Sequence, residues 1–457
     1  MAVPGVIDAM QQNVTMVRPN SERKSFAVVA ASIGNMLEWY DFTVYALFAR
    51  YIAHSFFPGS DPNAALLETF LTFGVGFVIR PVGAMLIGAY GDRAGRKAAL
   101  MLTIFMMAAG TLLLACSPTY ASIGVWAPVL LLLGRMLQGL SAGGEIGSAS
   151  AFLVESAGAG RKGALASWLQ ASMGMSNILG ALVAFAVTAS LSLAQVQSWG
   201  WRIPFLVGLL IAPVGLVLLR SLDETPEFAA ELARRRLLAE RERAPIRAAL
   251  RSYWPALAIG FGVSMLWAVA VYVLIVFTPV YVQGAFRFSA TQAFAASLIG
   301  NVLFVATCFA AGRWSDHIGR TAVLAVSALA LLVLTLPLYR WLQAVPTLSV
   351  LIVVQSAFCI MVAAFVGVAP TAMVELFPVG IRSIGVALVY NGAFTVFGGF
   401  APAILTWLTH RSGGSAMAPA WYVIAAAAVT LVMLPSFQRR RIVADVTAGA
   451  ASVRQPV

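Results

Sequence analysis

Long apolar runs dominate this sequence and set the environment in which it can fold. Twelve of them are long enough to cross a bilayer about 30 Å thick, which takes roughly 20 helical residues. Because a span must satisfy its backbone polar groups internally, continuous runs of this length predict helices. The chain is 60% hydrophobic and 11% charged, which excludes an ordinary soluble domain. The sequence predicts an all-α membrane protein with twelve transmembrane helices.

Short polar turns separate the predicted spans. The spans cover residues 26–52, 66–90, 98–117, 125–153, 164–190, 203–220, 254–280, 290–312, 321–340, 347–373, 383–408 and 419–436. They group into an N-terminal cytoplasmic segment (1–25), a six-helix bundle (26–220), a cytoplasmic linker (221–252), a second six-helix bundle (253–436) and a cytoplasmic tail (437–457).

Lysine and arginine predict how these spans are oriented. With both termini inside, the inside segments hold 23 of these residues and the outside loops hold 4. This bias predicts a multi-pass protein of a bacterial-type inner membrane with both termini in the cytoplasm. It also accounts for the net charge of +12 without a nucleic-acid partner. The first 25 residues are polar, so no cleaved signal peptide is expected.

A charged, glycine-rich turn occurs twice in the chain. The first copy is Gly88-Ala-Tyr-Gly-Asp92-Arg93-Ala-Gly-Arg96-Lys, and the second is Gly312-Arg-Trp-Ser-Asp316-His-Ile-Gly-Arg320. The two aspartates are 224 positions apart, close to half of the 457 residues. Matched turns predict two copies of one membrane unit, and therefore two pseudo-symmetric six-helix bundles.

The two charged turns are also candidate gates. The aspartate of each turn can cap the N-terminus of the following helix and pair with a neighbouring arginine. The alternative is that the charges only anchor the loops in the cytoplasm. Matched spacing in both halves favours the gating hypothesis. Its candidate residues are Gly88, Asp92, Arg93, Arg96, Asp316 and Arg320.

Charged side chains within the first two spans are candidates for function, because a charge in lipid is costly. Glu38, Asp41 and Tyr45 share one face of the first span at helical spacing. Arg80 lies at a similar depth in the second span, counting 1.5 Å per residue from the membrane surface. We therefore expect Glu38, Asp41 and Arg80 to meet near the middle of the membrane.

The fourth span carries a second polar set, with Arg135, Gln138 and Glu145 on one face. Small residues around Glu145 leave open that it only packs helices together. The second half has no acid inside its predicted spans, so a proton-binding carboxylate must come from the first half. From the second half, Tyr272 and Asn391 are the candidates for a central cavity.

These residues divide into two predicted roles. Asp41 is the first choice for proton coupling, followed by Glu38 and Glu145. Arg80 and Arg135 are the predicted cationic substrate contacts, because a guanidinium binds a carboxylate through two parallel hydrogen bonds. The further predicted substrate contacts are Tyr45, Gln138, Tyr272 and Asn391.

Several motifs carry a family resemblance. The first charged turn resembles the GxxxDRxGRK signature of the major facilitator superfamily, and the second keeps its Gly, Asp and Gly-Arg positions. Within that superfamily the chain resembles the metabolite:proton symporters, and among them the citrate–proton symporters and related tricarboxylate carriers. The motifs are Gly34-Asn-x-x-Glu-Trp-Tyr-Asp-Phe, Arg80-Pro-Val-Gly, Gly134-Arg-x-x-Gln-Gly-x-Ser-Ala-Gly-Gly-Glu145 and Glu375-Leu-Phe-Pro-x-x-x-Arg382. The resemblance adds Glu375 and Arg382 to the candidate gating residues.

The resemblance implies a proton-coupled transporter that imports a small organic acid, a di- or tricarboxylate such as citrate, by alternating access. The expected partners are the organic acid, protons and the lipid bilayer, with a monomer as the unit. No ATP-binding motif, metal cluster or nucleophile triad is visible in the sequence, so we expect neither an enzyme nor a cofactor. The three cysteines are widely spaced, so no disulfide framework is expected.

Three other functions remain open. A proton symporter for a zwitterionic osmolyte such as proline or betaine fits the same motifs. A drug-type effluxer is a second alternative, although buried arginines suit carboxylate ligands better than apolar ones. A non-transporting membrane sensor or scaffold is the third, and it gives no reason for paired carboxylates inside the bilayer.

Overall fold

The protein is built of α-helices in the computed structural model. The structure describes residues 32, 35–36, 38–58, 61–94, 96–143, 145–157, 160–209, 213, 246–378, 381–411 and 417–453. Within these ranges, side chains are described except at 88–89, 91–94, 96–97, 99–100, 145, 148, 152, 155–156, 246–252, 383 and 440–453. The predicted linker, 221–252, lies almost entirely outside the described residues, and so does the predicted N-terminal segment, 1–25.

The helices of the first half follow the predicted spans with short interruptions. They cover residues 38–47, Ala49–Phe56, Pro62–Val78, Arg80–Ala94, Arg96–Cys116, Tyr120–Ile123, Trp126–Ala142, Glu145–Ser156, Lys162–Ser190, Leu193–Ser198 and 203–209, with a short 3₁₀ turn at Gly200–Arg202.

The helices of the second half are longer, and two of them are followed directly by π-helical segments. They cover Ile246–Ala270, Thr278–Ala285, Ala290–Ile318, Arg320–Ala344, Leu348–Val366, Ala369–Leu376, Arg382–Ala393, Ala401–Arg411 and Ala418–Val453. The π-helical segments are Val271–Phe277 and Phe394–Gly399. Wide helical turns of this kind are frequent at functional sites.

All twelve predicted spans contain helix within the part of the chain that the structure describes. Eight helices are long and apolar enough to cross a membrane, and two shorter apolar helices correspond to the third and fourth predicted spans. The first and sixth predicted spans are helical over 38–47 and 203–209 and continue into residues outside the description. The helical fold class predicted from the apolar runs is therefore confirmed.

Local sequence signals explain where several helices begin and end. Ser289 accepts a hydrogen bond from the backbone N–H of Gln292, whose side chain in turn accepts one from the backbone N–H of Ser289. This capping box starts the helix Ala290–Ile318. Gly319 follows the last residue of this helix, and its φ of 92° is readily adopted only by glycine. Gly319 thus forms the sharp corner of the second charged turn.

The two halves approach each other most closely through small residues on Lys162–Ser190 and Ala290–Ile318. A Cβ atom on Gly312 would lie 2.6 Å from the Cβ of Ser167, and one on Gly174 would lie 2.7 Å from the ring of Phe304. Both distances are shorter than real side chains allow. Glycine at these positions lets the two backbones pack closely, as is typical of helix contacts in membranes.

Candidate substrate and proton sites

The first candidate site is a buried ion pair between the first two spans. The Arg80 Nη2 donates a hydrogen bond of 2.9 Å to the Glu38 Oε1, and both side chains are buried. The Arg80 guanidinium also lies 4.8 Å from the ring centre of Phe42 and 4.3 Å from that of Phe77. Aromatic faces stabilise a guanidinium that is removed from water. The structure thus brings Glu38 and Arg80 together as the sequence predicts.

Aromatic side chains of the second half cover this ion pair. The hydroxyl of Tyr390 interacts with Arg80. The fully buried Tyr272 lies 5.3 Å from Phe77 and 5.9 Å from Trp39, measured between ring centres. Tyr272 is the second residue of the π-helical segment Val271–Phe277. The Glu38–Arg80 pair therefore lies at the interface between the two halves.

Asp41 belongs to a different cluster, which lies within the first half. Its Oδ2 accepts hydrogen bonds from the hydroxyl of Thr111 and, at 3.2 Å, from the Nε2 of Gln138. The Nη1 of Arg135 donates a bond of 2.5 Å to the Oε1 of Gln138. Gln138 therefore bridges Asp41 and Arg135. The expected meeting of both carboxylates at Arg80 holds for Glu38, whereas Asp41 has other partners.

Arg135 is buried in an aromatic environment of its own. Its guanidinium lies 3.7 Å from the ring centre of Tyr45, 5.1 Å from that of Phe42 and 5.0 Å from that of Phe73. The Tyr45 hydroxyl donates to the backbone oxygen of Thr69 at 3.0 Å, which fixes the ring. Phe42 contacts the guanidinium groups of both Arg80 and Arg135. This one ring joins the two clusters.

The two clusters and the second-half residues near them contain several buried polar atoms that have no hydrogen-bond partner among the described residues. They are the Oδ1 of Asp41, the Nε of Arg80, the Nε and Nη2 of Arg135, the Oη of Tyr272, the Nε1 of Trp267 and the Oδ1 of Asn391. Most buried polar groups in proteins are paired, so exceptions need an explanation. Five of these seven atoms carry hydrogen-bond donors, which suits a ligand rich in carboxylate oxygens.

Asn391 links the two halves near the break between Trp126–Ala142 and Glu145–Ser156. Its Nδ2 donates to the backbone oxygen of Gly143 at 3.2 Å. The backbone of Glu145 begins the second of these helices, but its side chain is outside the described residues, so its predicted role stays a prediction. Asn391 is placed where a movement between the halves would change its contacts.

The second charged turn combines an ion-pair network of the second half with hydrogen bonds to the first half. Both carboxylate oxygens of Asp316 accept hydrogen bonds of 2.9 Å, from the backbone N–H groups of Gly163 and Ala164. Asp316 therefore caps the helix Lys162–Ser190 of the first half, rather than the helix that follows it in the chain. Arg320 lies 2.7 Å from Asp316 and 3.5 Å from Glu375.

The remaining predicted gating residues have local or undescribed surroundings. The Nε of Arg382 donates to the backbone oxygens of Val374 and Phe377 at 3.0 and 3.3 Å, which stabilises its own turn. In the first charged turn, the backbone around Gly88 and Asp92 is helical. The side chains of Gly88, Asp92, Arg93 and Arg96 lie outside the described residues, so their gating role stays a prediction.

Sequence reasoning missed four residues that contact the two clusters. Thr111 and Gly208 adjoin Asp41, Phe42 joins the two arginines, and Tyr390 contacts Arg80. A Cβ on Gly208 would lie 3.0 Å from the Oδ1 of Asp41. Only Thr111 left a signal, since it is a single hydroxyl within the apolar stretch Met106-Met-Ala-Ala-Gly-Thr-Leu-Leu-Leu-Ala115. The other three are ordinary residues for a membrane helix.

The described residues contain no group of three or more His, Cys, Asp or Glu side chains that could hold a metal ion. The chemistry of the two clusters is therefore that of carboxylates, guanidinium groups, hydroxyls and aromatic rings. Such an arrangement can bind an anion and take up a proton.

Comparisons with known proteins agree with this geometry. Residues 26–249 match the family described as sugar (and other) transporter. The chain is 37% identical over 422 residues to a citrate-proton symporter of Klebsiella pneumoniae, covering 92% of this chain and 94% of the relative. It is 32% identical over 429 residues to a proline/betaine transporter of Escherichia coli K12, covering 92% of this chain and 84% of the relative.

A solved structure shows the same fold. The xylose transporter XylE from E. coli, in a partially occluded inward-open conformation, superposes with a TM-score of 0.71 at 18% identity, covering 89% of this chain and 97% of that one. The fold is thus the major facilitator fold. The chain belongs to the metabolite:proton symporter family of the major facilitator superfamily, whose members are membrane carriers and not enzymes.

Proposed function

We propose that this protein is a proton-coupled symporter that imports a small organic acid with two or three carboxylates, citrate being the first candidate. The observation that carries the proposal is the burial of Arg80 and Arg135 with guanidinium nitrogens that have no partner. Relatives 37% identical to the chain are citrate-proton symporters. Transport takes place by alternating access across a bacterial-type inner membrane, with both termini in the cytoplasm and one chain as the unit.

Substrate binding takes place at the interface between the halves. A carboxylate of the substrate competes with Glu38 for Arg80, and the hydroxyls of Tyr272 and Tyr390 lie on the second-half side of the same pair. A second carboxylate reaches Arg135, since Phe42 contacts both guanidinium groups. Bidentate binding of carboxylates is the particular strength of arginine.

Charge balance gives the reason for coupling. The two clusters hold two arginines and two carboxylates, which balance each other. A polyanion that enters this buried region adds uncompensated negative charge, which a low-dielectric environment strongly disfavours. Proton uptake by the protein restores the balance, so substrate and protons move together. Asp41 is the first candidate for this proton, followed by Glu38.

The network around Asp316 supports a gate at the cytoplasmic end. Asp316 caps the helix Lys162–Ser190, and Arg320 joins it to Glu375. The hydrogen bonds from Gly163 and Ala164 to Asp316 cross between the halves, so they must break when the cavity opens to that side. By its matched position, the first charged turn, with Asp92 and Arg96, has the same role.

A zwitterionic osmolyte is the second candidate substrate. Trp39 and Tyr272 lie beside the Glu38–Arg80 pair, and aromatic rings next to a carboxylate are the usual environment for a quaternary ammonium group. Relatives 32% identical to the chain are proline/betaine transporters. The site has two buried arginines, whereas a zwitterionic osmolyte has one carboxylate. The second arginine therefore favours a polycarboxylate substrate.

The purified protein in proteoliposomes provides the test. We expect labelled citrate to accumulate under an inward proton gradient, and a protonophore to abolish that accumulation, whereas a sodium gradient alone does not drive it. Unlabelled di- and tricarboxylates should compete for uptake, and proline and betaine should not. Competition by betaine and not by tricarboxylates would establish the second candidate. Citrate uptake that ignores the proton gradient would contradict symport.

A further inference from the structure

Thr111 occupies a position from which it can respond to the protonation of Asp41. It is buried in the helix Arg96–Cys116. Its Oγ1 lies 3.0 Å from the backbone oxygen of Met107, 3.0 Å from the Nε2 of Gln138 and within hydrogen-bonding distance of the Oδ2 of Asp41. A hydroxyl has one donor hydrogen and two acceptor lone pairs. The three neighbours differ in whether they require this hydroxyl to donate or to accept a hydrogen bond.

Two of these neighbours have fixed roles and the third does not. The amide of Gln138 can only donate to the hydroxyl, and the carbonyl of Met107 can only accept from it. The carboxyl group of Asp41 accepts when it is charged and donates when it carries a proton on Oδ2. The hydroxyl can therefore point at Asp41 in one protonation state and at Met107 in the other.

In both orientations the Thr111 hydroxyl has an acceptor for its hydrogen and a donor for its oxygen. With Asp41 charged, Thr111 donates to its Oδ2 and accepts from Gln138. With Asp41 protonated, Thr111 accepts from both Asp41 and Gln138, which uses its two lone pairs, and donates to Met107. Rotation about one bond separates the two arrangements, and such hydroxyl rotations in proteins need no backbone movement.

We propose that Thr111 is a positioning residue for the coupling proton, setting the pH range in which Asp41 binds and releases it; this inference rests on the proposed role of Asp41. Hydrogen bonds to charged groups are about twice as strong as those between neutral ones. The hydroxyl thus favours the charged carboxylate, against the effect of burial, which favours the neutral form. Without it, the carrier keeps its proton to a higher pH.

Other charged and titratable groups around Asp41 stay in place when the hydroxyl is removed. Arg135 acts on Asp41 through Gln138 from Trp126–Ala142, and Arg80 is held by Glu38. The helix 203–209 presents Gly208, which has no charge. Tyr40, on the helix of Asp41, interacts with the Asp41 carboxylate, whereas Tyr45 and Tyr272 act on Arg135. Thr111→Val therefore leaves these charged groups in place and removes the hydroxyl's bonds to Asp41, Gln138 and Met107 together.

The test is the pH dependence of citrate exchange in proteoliposomes with equal pH on both sides. Thr111→Val keeps the shape of the side chain and removes the hydroxyl, whereas Thr111→Ser keeps the hydroxyl. The matched control is Thr335→Val, because the buried Thr335 donates to the backbone oxygen of Leu331, four residues earlier, as Thr111 does to Met107. The carboxyl groups of citrate also change protonation with the pH of the assay. Each variant is therefore compared with the parent at each pH.

We expect the alkaline limit of exchange to move up by about one pH unit in Thr111→Val. Thr111→Ser and Thr335→Val should follow the parent. An unshifted profile in Thr111→Val, beside an Asp41→Asn variant that has lost accumulation, overturns the inference and leaves the proposed function standing. An equal shift in Thr111→Ser assigns the effect to packing and also overturns it. Accumulation that persists in Asp41→Asn removes the proposed coupling residue and the inference with it.

Discussion

The two acid–arginine clusters of the first half differ in how the acid meets the arginine. Glu38 and Arg80 form a direct ion pair of 2.9 Å, whereas Gln138 stands between Asp41 and Arg135. In a direct buried pair, removal of either charge leaves the other uncompensated. A carboxylate that is bridged to its cation by a neutral amide can change its protonation state with less cost.

The clusters also differ in which half supplies their partners. The hydroxyl of Tyr390, from the second half, reaches Arg80. Asp41 instead has contacts with Thr111, Gln138 and Gly208, all from the first half. A site shared between halves changes as they move, which suits a substrate site in alternating access. A site within one half moves as a unit and can carry a proton across.

Loss of the bridged carboxylate should have the largest effect. Asp41→Asn should lower proton-driven accumulation of citrate to the equilibrium level, because the group assigned to couple the two fluxes can no longer bind and release a proton. Exchange of citrate across the membrane should persist, since exchange needs no net proton movement. Uptake and counterflow on the same proteoliposome preparation measure both quantities.

An Asp41→Asn carrier that still accumulates substrate, with the pH dependence of the parent, would contradict this assignment. Asp41 would then be structural, and the comparison would have to be reversed in favour of Glu38, with Glu145 as the next residue to test. Asp61→Asn is a suitable control, because Asp61 is a carboxylate that caps the helix Pro62–Val78 by accepting from the backbone N–H of Asn63.

Exchange of either buried arginine for lysine should have the next largest effect. Lysine keeps the charge but cannot form two parallel hydrogen bonds with one carboxylate. Arg80→Lys and Arg135→Lys should therefore each raise the dissociation constant for citrate by about 10- to 100-fold, equivalent to about 1.4–2.8 kcal/mol. Calorimetry on the detergent-solubilised protein measures this constant. Unchanged constants in both variants would remove the arginines from the site and favour a zwitterionic substrate.

Sequence patterns predicted much of the fold and part of the two clusters. Apolar runs gave the helices, since the bilayer imposes one length and one backbone solution on a span. Helical spacing placed Glu38 and Asp41 on one side and suggested Arg80 as a partner. It did not show that Asp41 pairs with Thr111 and Gln138, because those contacts depend on how three helices rotate against each other. Similarly, nothing local indicated that Asp316 caps a helix of the other half.

Asp316 and Arg320 form a third acid–arginine pair. This pair sharpens the comparison because it belongs to neither cluster. Asp316→Asn should slow transport about fivefold while leaving the dissociation constant for citrate and the pH dependence unchanged. A fivefold change in rate corresponds to about 1 kcal/mol in the activation barrier. Asp92→Asn, in the first charged turn, should behave in the same way. Stopped-flow uptake beside equilibrium binding separates rate from affinity, and normal rates in both variants would exclude gating.

The smallest effect is expected from Glu38→Gln, which decides whether the direct pair is a substrate clamp or a proton site. Glutamine keeps a carbonyl oxygen that can accept from Arg80 but removes the charge that competes with the substrate. The dissociation constant for citrate should fall by about threefold, corresponding to less than 1 kcal/mol. Accumulation under a proton gradient should remain, because Asp41 is untouched. If accumulation is lost in Glu38→Gln and kept in Asp41→Asn, the direct pair carries the proton, and the bridged cluster serves only to hold the first half together.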